Sequence, residues 1–355
     1  MKSVGITTTG YGNNYGEALQ AFAIRKAVNI YVPDHQAELI DYTCINRTPL
    51  TKPGFEGYEE RLADKQLLFE EFRQNEIGLS GSPVSHLIKE TAPVFDQYVF
   101  GSDQIWNTGI SQIPEFFGSF VPENRPKIAY AASIGLKPYN QLLDRTLFER
   151  YLAGFKAISV REQIHCDYVQ QFTNVPVRYV ADPTLLLDVD IYKELLIRSR
   201  ARKPDRDYIF YYHPNSADGA MISLVNKVAR SHHMDVVHTF AQIPSGMFPY
   251  DSISARFDGP REFLSYIQDA SLVITRSYHG VIFSILFRKP FYAYVDKKTG
   301  SRFESLLATL GLEDRMVYDY LKPEDVNFTI DYQSVSERLT RFKKSSIEYL
   351  RDALR

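Results

Sequence analysis

The chain has 355 residues, more than a single hydrophobic core usually holds, so we expect two domains. Hydrophobic residues make up 44% and charged residues 24%, which excludes the disordered and fibrous classes of protein. The formal net charge of −2 argues against a broad basic surface, and therefore against nucleic acid as a partner.

The two cysteines, Cys44 and Cys166, stand far apart, and neither a CxxC nor an HExxH spacing occurs. We therefore expect no zinc site and no other metal cofactor. The first residues, MKSVGITTTGYG, lead directly into a strand pattern and lack the apolar length of a signal peptide or a membrane span. These features predict a cytoplasmic protein without a transmembrane segment.

The first half of the chain alternates strand and helix patterns. Strands are predicted at residues 3–7, 37–42, 97–100, 127–132, 157–160 and 177–180, and helices at 16–30 and 61–76. Residues 44–57 contain Pro49, Pro53 and two glycines, which predicts an irregular segment.

A charged stretch at residues 188–206 predicts a solvated linker, after which the alternation restarts. Strands are predicted at 208–212, 236–240, 271–275 and 291–295, and helices at 217–232, 260–269 and 335–354, with another after residue 276. The pattern predicts an α/β protein with two Rossmann-like, doubly wound domains, residues 1–190 and 207–330, facing each other across a cleft. The last helix, within 335–355, has no strand after it and is expected to pack back on the first domain.

Ligands of open α/β sheets bind outside the carboxyl ends of the strands, so the polar turns after each strand are the candidate sites. The first such turn, GYGNNYGEALQAF at residues 10–22, is not a GxGxxG dinucleotide fingerprint. It supplies Asn14, Tyr15 and Gln20 beside a helix N-terminus, which suits an anion or sugar hydroxyls. A plain glycine turn is the alternative.

The turn FGSDQIWN at residues 100–107 combines one carboxylate, amides and the only tryptophan. Hydroxyl contacts from polar groups and an apolar indole face are typical of a sugar site. Helix capping by Ser102 or Asp103 is the competing explanation. The candidate acceptor-binding residues in this turn are Ser102, Gln104, Trp106 and Asn107, with Asp103 as a candidate catalytic group.

Two further turns, ISVRE and ADPTLLL, follow the predicted strands at 157–160 and 177–180. Arg161 and Glu162 are additional site candidates, although neighbouring charges of this kind more often form a structural ion pair. Asp182 precedes a proline, which favours a structural turn at the edge of the domain.

The turn RSYHG at residues 276–280 joins a buried strand to a helix, and TGSRFESLL at 299–307 begins another helix. A capped turn with a buried imidazole would explain His279 alone. Basic residues are unfavourable at helix N-termini, however, so Arg276, His279 and Arg302 together indicate a site prepared for an anionic ligand. Ser277, Tyr278 and Gly280 share that turn and are included as donor-binding candidates.

Together, NNYGEALQAFAI, GSDQIWN, ISVRE, DPTLLL and SYHGVIFSILFRKPF resemble the polysaccharide pyruvyl transferase family, and the resemblance extends to about residue 312. It implies a glycosyltransferase-B-like architecture and transfer of the enolpyruvyl unit of phosphoenolpyruvate onto two sugar hydroxyls. The product is a cyclic pyruvate ketal, and phosphate is released. Phosphoenolpyruvate is then a co-substrate, and no cofactor is implied.

The resemblance assigns donor binding or catalysis to His279, with an arginine on the anion. Family members often read R-x-H-G, whereas here Arg276 stands one residue earlier, which leaves Arg302 or Arg161 as alternative contacts. We expect His279 to act as the general acid and Asp103, from the opposite domain, as the base for a sugar hydroxyl.

The expected partners are phosphoenolpyruvate and a sugar or lipid-linked oligosaccharide acceptor of a surface polysaccharide, such as a capsule or exopolysaccharide. The protein would then work in the cytoplasm, at the inner face of the membrane when the acceptor is lipid-linked. Two alternatives stay open: a nucleotide-sugar glycosyltransferase of the same fold, and a non-catalytic carbohydrate-binding protein of a polysaccharide pathway. The acceptor sugar and the oligomeric state are not readable from the sequence.

Overall fold

The computed structural model describes residues 1–42, 57–84, 92–107, 114–135, 145–214, 219–240, 246–297 and 300–355. Residues 44–56 of the predicted irregular segment lie outside the described residues, as do Lys298 and Thr299 beside the second candidate turn.

Seven parallel strands form the sheet of the first domain. They are β1 (Lys2–Thr7), β2 (His35–Tyr42), β3 (Leu79–Val84), β4 (Gln97–Phe100), β5 (Lys127–Ala132), β6 (Phe155–Val160) and β7 (Val177–Tyr179). Their spatial order is β3-β2-β1-β4-β5-β6-β7, so β1 pairs with both β2 and β4. The order reverses between β1 and β4, which is where a doubly wound sheet opens a crevice for ligands.

The helices of this domain are α1 (Tyr15–Tyr31), α2 (Tyr58–Phe72), which continues into a π-helix at Arg73–Ile77, α3 (Arg145–Leu152), α4 (Cys166–Gln170) and α5 (Val189–Leu196). The Asn14 side chain caps α1 by accepting hydrogen bonds from the backbone N–H groups of Gly16 and Glu17. Short 3-10 helices occur at Pro114–Phe117, Gln163–His165 and Pro183–Leu185.

The second domain repeats the same design with six parallel strands. They are β8 (Tyr208–Tyr212), β9 (Asp235–His238), β10 (Ser252–Ser254), β11 (Leu272–Thr275), β12 (Phe291–Tyr294) and β13 (Met316–Val317), in the order β10-β9-β8-β11-β12-β13. Its helices are α6 (Gly219–His232), α7 (Pro260–Asp269), α8 (Tyr278–Leu286) and α9 (Ser301–Leu310), with 3-10 turns at Glu313–Arg315 and Pro323–Asp325. Here β8 and β11 take the central places that β1 and β4 hold in the first sheet.

The predicted fold class, two doubly wound parallel-sheet domains, is confirmed, and the predicted strands and helices agree with the observed ones to within a few residues. The predicted linker at 188–206 is wrong in its first half, which forms α5 and buries Tyr192 and Leu195. Three strands were not predicted: β3, β10 and β13. Each lies at the edge of its sheet, where one side is unpaired. Edge strands need less apolar sequence than central ones, and β3 contains both a glycine and a proline.

The last helix, α10 (Tyr332–Leu354), follows the second sheet in sequence but contacts the first domain. Gln97 donates a hydrogen bond to the Leu354 carbonyl, and the Tyr349 hydroxyl donates to the Ala129 carbonyl. The Ser346 hydroxyl accepts from the backbone of Ala181. These contacts place α10 against the ends of the first sheet.

The two domains also meet along α2. Arg261 of α7 is buried and pairs with Glu71 and Glu76 at 3.1 and 2.9 Å. Lys65 of α2 is buried too, and its ammonium donates to the Arg256 carbonyl of the second domain at 3.0 Å. Burial, followed by the nearby charge of Arg256, lowers the pKa of Lys65 to about 7.

The burial of Lys65 gives a testable pH dependence of stability. Its pKa in the folded protein lies below that of an unfolded lysine, so the unfolded chain binds the proton more tightly between about pH 7 and 10. Lys65 therefore destabilises the fold fully at and below pH 7, and the cost fades as the pH rises toward 10. We expect Lys65→Met to raise the free energy of unfolding at pH 6, by on the order of 3 kcal/mol, and to have little effect at pH 10.

Urea unfolding of wild type and variant at the two pH values measures this difference. Lys193→Met, at a more exposed lysine of α5, is the matched control and should show no such dependence on pH. Equal effects of Lys65→Met at pH 6 and pH 10 would contradict a lowered pKa at this position.

Candidate active site between the two domains

A buried arginine organises the carboxyl edge of the first sheet. Arg161 follows β6, and its side chain is fully buried. Its Nη1 lies 2.7 Å from Asp182 Oδ2, and its Nη2 lies 3.2 Å from Asp103 Oδ1. The second domain covers the same guanidinium with the ring of Tyr278, 4.6 Å from ring centre to guanidinium carbon. Arg161 thus joins the turns after β4, β6 and β7 to the turn before α8.

The carboxylates around Arg161 are held in the ionised form. Burial alone would raise the pKa of Asp182, but the charges of His279 and Arg161 and a hydrogen bond from Thr184 outweigh it and hold this pKa well below its usual range. The pKa of Asp103 is also lowered, because Arg161, His279, Arg302 and the Thr9 hydroxyl together outweigh burial. The same two carboxylates outweigh the burial of Arg161 and raise its pKa.

A second layer of polar contacts surrounds Glu162. The carboxylate accepts hydrogen bonds from the Ser133 hydroxyl and from the His165 ring, the latter at 3.0 Å. These groups outweigh burial and lower the pKa of Glu162. Its nearest approach to Arg161 is 3.8 Å, longer than the contacts that Asp182 and Asp103 make. Glu162 therefore stabilises the residues behind the site and is not one of the close ion-pair partners of Arg161.

His279 stands at the junction of the two domains, in the first turn of α8. Ser277 caps that helix by accepting a hydrogen bond from the backbone of Gly280 at 3.2 Å. On the first domain, a Cβ placed on Gly16 would lie 2.2 Å from His279 Nδ1, so only glycine allows the imidazole to approach α1 this closely. His279 Nε2 lies 3.5 Å from Asp182 Oδ2 and has no well-formed hydrogen bond among the described residues.

Two arginines of the second domain lie in or beside the turn that carries His279. Arg302, in the first turn of α9, lies over the Tyr278 ring at 5.7 Å, and its buried Nε has no hydrogen-bond partner in the described part of the chain. Burial and the charge of Arg161 lower the pKa of Arg302. Arg276 is partly exposed, with Nη2 4.0 Å from Asp296 Oδ2. Unused donors of His279 and Arg302 thus share one region with a more exposed cation.

The structure brings the turns RSYHG and GSDQIWN together, as predicted for opposite walls of a cleft. Asp103 feels the charges of His279 and Arg302, and Ser102 Oγ lies 3.4 Å from Asp182 Oδ2. Asp182 does form the structural turn that the sequence predicts, since it caps the 3-10 helix Pro183–Leu185. It also contacts both Arg161 and His279, which the sequence reading missed. Its position after β7 was the available signal.

Three predicted acceptor-binding residues are instead part of the interior. Ser102 is fully buried, and its hydroxyl donates to the Ala131 carbonyl. The Trp106 ring is buried and stacks on Phe117 at 5.4 Å, with the edges of Phe148 and Phe155 against it, and its Nε1 donates to the Phe116 carbonyl. A sugar cannot reach a ring enclosed in this way, so the prediction for Trp106 is wrong. Gln20 is buried as well and donates to the Thr8 hydroxyl and the Thr9 carbonyl, which fixes the first loop.

The remaining predicted acceptor residues differ in accessibility. Asn107 is buried and donates to the side-chain carbonyl of Gln104 at 2.7 Å, while Gln104 itself is partly exposed. Asn14 is exposed at the start of α1, and Tyr15 is buried with its hydroxyl on the Ala255 carbonyl of the second domain. Of these four, Asn14 and Tyr15 line an interdomain cavity.

That cavity has a volume of about 130 Å³ and lies between α1, α2 and the second domain. Its lining includes Asn13, Asn14 and Tyr15 from the loop after β1, Tyr58, Leu62 and Lys65 from α2, and Tyr212, Pro214, Thr239, Arg256 and Phe257 from the second domain. Sequence analysis did not single out Lys65. The available signal was its spacing, because Leu62, Lys65, Phe69 and Phe72 form one helical stripe and the last three are buried.

Two further observations concern only the described residues. None of their helices is both long and apolar enough to cross a bilayer. Nor do their histidines, cysteines and carboxylates form a group of three or more that could hold a metal ion.

Solved structures with a similar fold include UDP-GlcNAc 2-epimerases. The Neisseria meningitidis enzyme, bound to UDP-GlcNAc, aligns with a TM-score of 0.54 and 10% identity over 99% of this chain and 94% of its own. The Methanocaldococcus jannaschii enzyme, in complex with UDP-GlcNAc and UDP, gives 0.53 and 11% over 97% and 94%. At these identities the likeness shows the fold alone, which is glycosyltransferase-B-like.

No curated protein matches the sequence significantly. The model of one protein family, polysaccharide pyruvyl transferase, does match, over residues 14–296. The matched range contains Arg161, Asp182 and His279, the residues that join the two walls of the cleft. Because the match covers most of the chain, this protein belongs to the polysaccharide pyruvyl transferase family.

Proposed function

We propose that this protein transfers the enolpyruvyl unit of phosphoenolpyruvate onto two hydroxyls of a sugar in a polysaccharide precursor, forming a cyclic ketal and free phosphate. The observation that carries the proposal is the position of His279. It stands at a helix N-terminus, 3.5 Å from an ionised Asp182, with an unused nitrogen, with Arg276 three residues earlier in the same turn and with Arg302 over the neighbouring Tyr278 ring. Family membership supports the same reaction class.

The donor carries a phosphate and a carboxylate on a small frame, so its site needs several cationic or N–H donors. Arg302 offers a buried Nε without a hydrogen bond, and Arg276 offers a partly exposed guanidinium. Arg161 is already committed to two carboxylates, which makes it a poor donor ligand. We therefore assign donor binding to Arg302 and Arg276. Arg161 instead holds the neighbouring turns of the first domain in position.

Ketal formation requires a proton on the methylene carbon, because the =CH2 group becomes CH3. One sugar hydroxyl then adds to the central carbon, the C–O bond to phosphate breaks, and the second hydroxyl takes its place. Of the two hydroxyl protons, one balances the new methyl hydrogen and the other leaves with phosphate. We assign the supply of the methylene proton to His279, and the nearby ionised Asp182, at 3.5 Å, supports this because it would stabilise a protonated imidazole before the transfer.

Asp103 was the predicted base for the sugar hydroxyl. Its lowered pKa and its contacts with Arg161 and Thr9 make it a weak base in this arrangement. We assign it instead to orienting Arg161 and to accepting a hydrogen bond from an acceptor hydroxyl. The proton of that hydroxyl can then move to the departing phosphate.

Phosphate release from phosphoenolpyruvate tests the proposed function. The purified protein is incubated with the donor and a panel of synthetic or lipid-linked galactosides, glucosides and mannosaminides, and free phosphate is measured. Acceptor-dependent release with one of these supports the proposal. Stabilisation of the protein by UDP-sugars without any effect of phosphoenolpyruvate would instead favour a nucleotide-sugar glycosyltransferase, and sugar binding without release would favour a binding protein.

Removing one donor-binding arginine should weaken phosphoenolpyruvate binding selectively. A charge-assisted hydrogen bond contributes roughly 1.5–3 kcal/mol, so Arg302→Ala or Arg276→Ala should raise the donor dissociation constant at least about tenfold. Calorimetric titration with phosphoenolpyruvate measures this, and Arg145→Ala, at an exposed arginine of α3, is the control. If both variants bind the donor like wild type, the anion site lies elsewhere.

Replacing His279 should separate donor binding from turnover. His279→Gln keeps a polar side chain but cannot transfer a proton, so we expect donor binding to persist while turnover falls about a hundredfold or more. His232→Gln, at an exposed histidine of α6, should leave both unchanged. Near-normal turnover of His279→Gln would show that His279 only donates a hydrogen bond and that another group is the acid.

A further inference from the structure

The interdomain cavity beside α2 contains two cations that the proposed donor site does not use. Lys65 is 8% exposed and Arg256 is partly exposed, and both line the cavity together with Asn13. Neither cation has an ion-pair partner within 4.0 Å among the described residues. Their charges repel each other, since Arg256 lowers the pKa of Lys65.

The surroundings of Lys65 compensate for its charge only in part: Asp258 acts to raise its pKa but forms no ion pair within 4.0 Å, and burial and Arg256 outweigh it. Its ammonium has neutral oxygens at 3.0 Å (the Arg256 carbonyl) and 3.4 Å (the Tyr15 hydroxyl), and it lies over the Tyr15 ring at 4.6 Å. Burying an ammonium without a counter-ion is costly, and an apolar side chain would serve packing on this stripe better. The position is therefore better explained by an anion that binds than by packing.

The cavity has room for one such group. The cavity volume of about 130 Å³ is well above what a single water needs and is enough for a tetrahedral oxyanion. The first amides of α1 are already bonded to the Asn14 side chain, so the two cations would carry the recognition. Asn13 Oδ1 is buried without a partner in the described structure and can accept a hydrogen bond from a hydroxyl next to the anion.

The cavity also adjoins the candidate catalytic group. Asn14 and Tyr15 line it, and the next residue, Gly16, is in close approach to the His279 ring. A ligand anchored between Lys65 and Arg256 would thus extend along the start of α1 toward His279. An acceptor held in this way would have its sugar near the proposed donor site.

We propose that this cavity binds a phosphate ester of the sugar acceptor, held by Lys65 and Arg256, while the donor occupies the separate site at His279, Arg276 and Arg302. The inference rests on the proposed function for the identity of the acceptor. The anion site itself does not depend on turnover, so it can be tested independently.

Anion binding here should be coupled to proton uptake. The titratable and charged groups that face Lys65 are the hydroxyl of Tyr15, from α1, and Arg256 and Asp258, from the segment before α7. With a pKa of about 7, Lys65 is largely neutral at pH 8 in the free protein and charged at pH 6. A bound dianion favours the charged form, so uptake should occur at pH 8 and vanish at pH 6.

Sulfate is the probe for this test, because it is dianionic at both pH values and contributes no protons itself. Calorimetric titrations in two buffers of different ionisation enthalpy give the number of protons taken up. Sulfate can also occupy the proposed donor site, so uptake is measured in the His279→Gln background, which leaves only arginines there, and we expect nearly one proton for each sulfate bound between Lys65 and Arg256 at pH 8. For Lys65→Met we expect none and at least tenfold weaker binding, whereas Lys193→Met should match wild type. Arg256→Gln should weaken binding and retain the uptake.

Competition separates an acceptor site from a general anion site. Glucose 1-phosphate should displace sulfate at concentrations at least about tenfold lower than inorganic phosphate, and this difference should disappear in Lys65→Met. Sulfate binding and proton uptake that are unchanged in Lys65→Met would overturn the site. Equal displacement by the two phosphates would overturn its assignment to the acceptor. A failure of the proposed function gives a different result. The wild-type protein would then bind sulfate but release no phosphate from phosphoenolpyruvate with any acceptor.

Discussion

The arrangement of the cleft depends on the compensation of one buried positive charge. Arg161 is removed from solvent and cannot be neutralised, so carboxylates must accompany it into the interior. Asp182 and Asp103 supply these charges from two other turns of the same sheet edge, and Tyr278 covers the guanidinium from the second domain. This single ion cluster therefore holds together the turns after β4, β6 and β7 and the first residue of α8.

This cluster explains why His279 can stand where it does. Asp182 has one oxygen occupied by Thr184 and directs the other toward both Arg161 and His279. The imidazole is held between that carboxylate and the backbone at Gly16, where a larger residue would displace it. The site is therefore assembled only when the two domains meet, and neither domain contains a complete version of it.

Much of the fold was predictable because parallel strands buried on both faces are continuously apolar. The stretches at β8 and β11 are examples, with every residue buried. Two edge strands, β10 and β13, escaped prediction because their three and two residues are too short to show a pattern. In the site, the rule about carboxyl ends identified the turns bearing His279, Asp103 and Arg161.

The rule could not tell which side chains of a turn face the cleft and which face the core. Trp106 follows the same strand as Asp103 but is enclosed by phenylalanines from elements distant in sequence. Lys65 is the reverse case. A lysine on a charged helix is normally solvated. Its place on the apolar stripe of α2 was a weak signal, and the packing of α2 against the second domain is what buries it.

The path of α10 has a mechanical consequence. The chain passes from the first domain to the second after α5 and returns along α10, whose first residue bonds to the second domain and whose last bonds to the first, so two covalent connections cross the boundary between the domains. If only one connection joined the domains, one domain could rotate about it in any direction. Two connections at separate points define an axis, and rotation about that axis is the motion that strains neither of them. Any opening of the cleft to admit a large acceptor is thus directed into a hinge, with the contacts along α2 and α7 as the part that must separate.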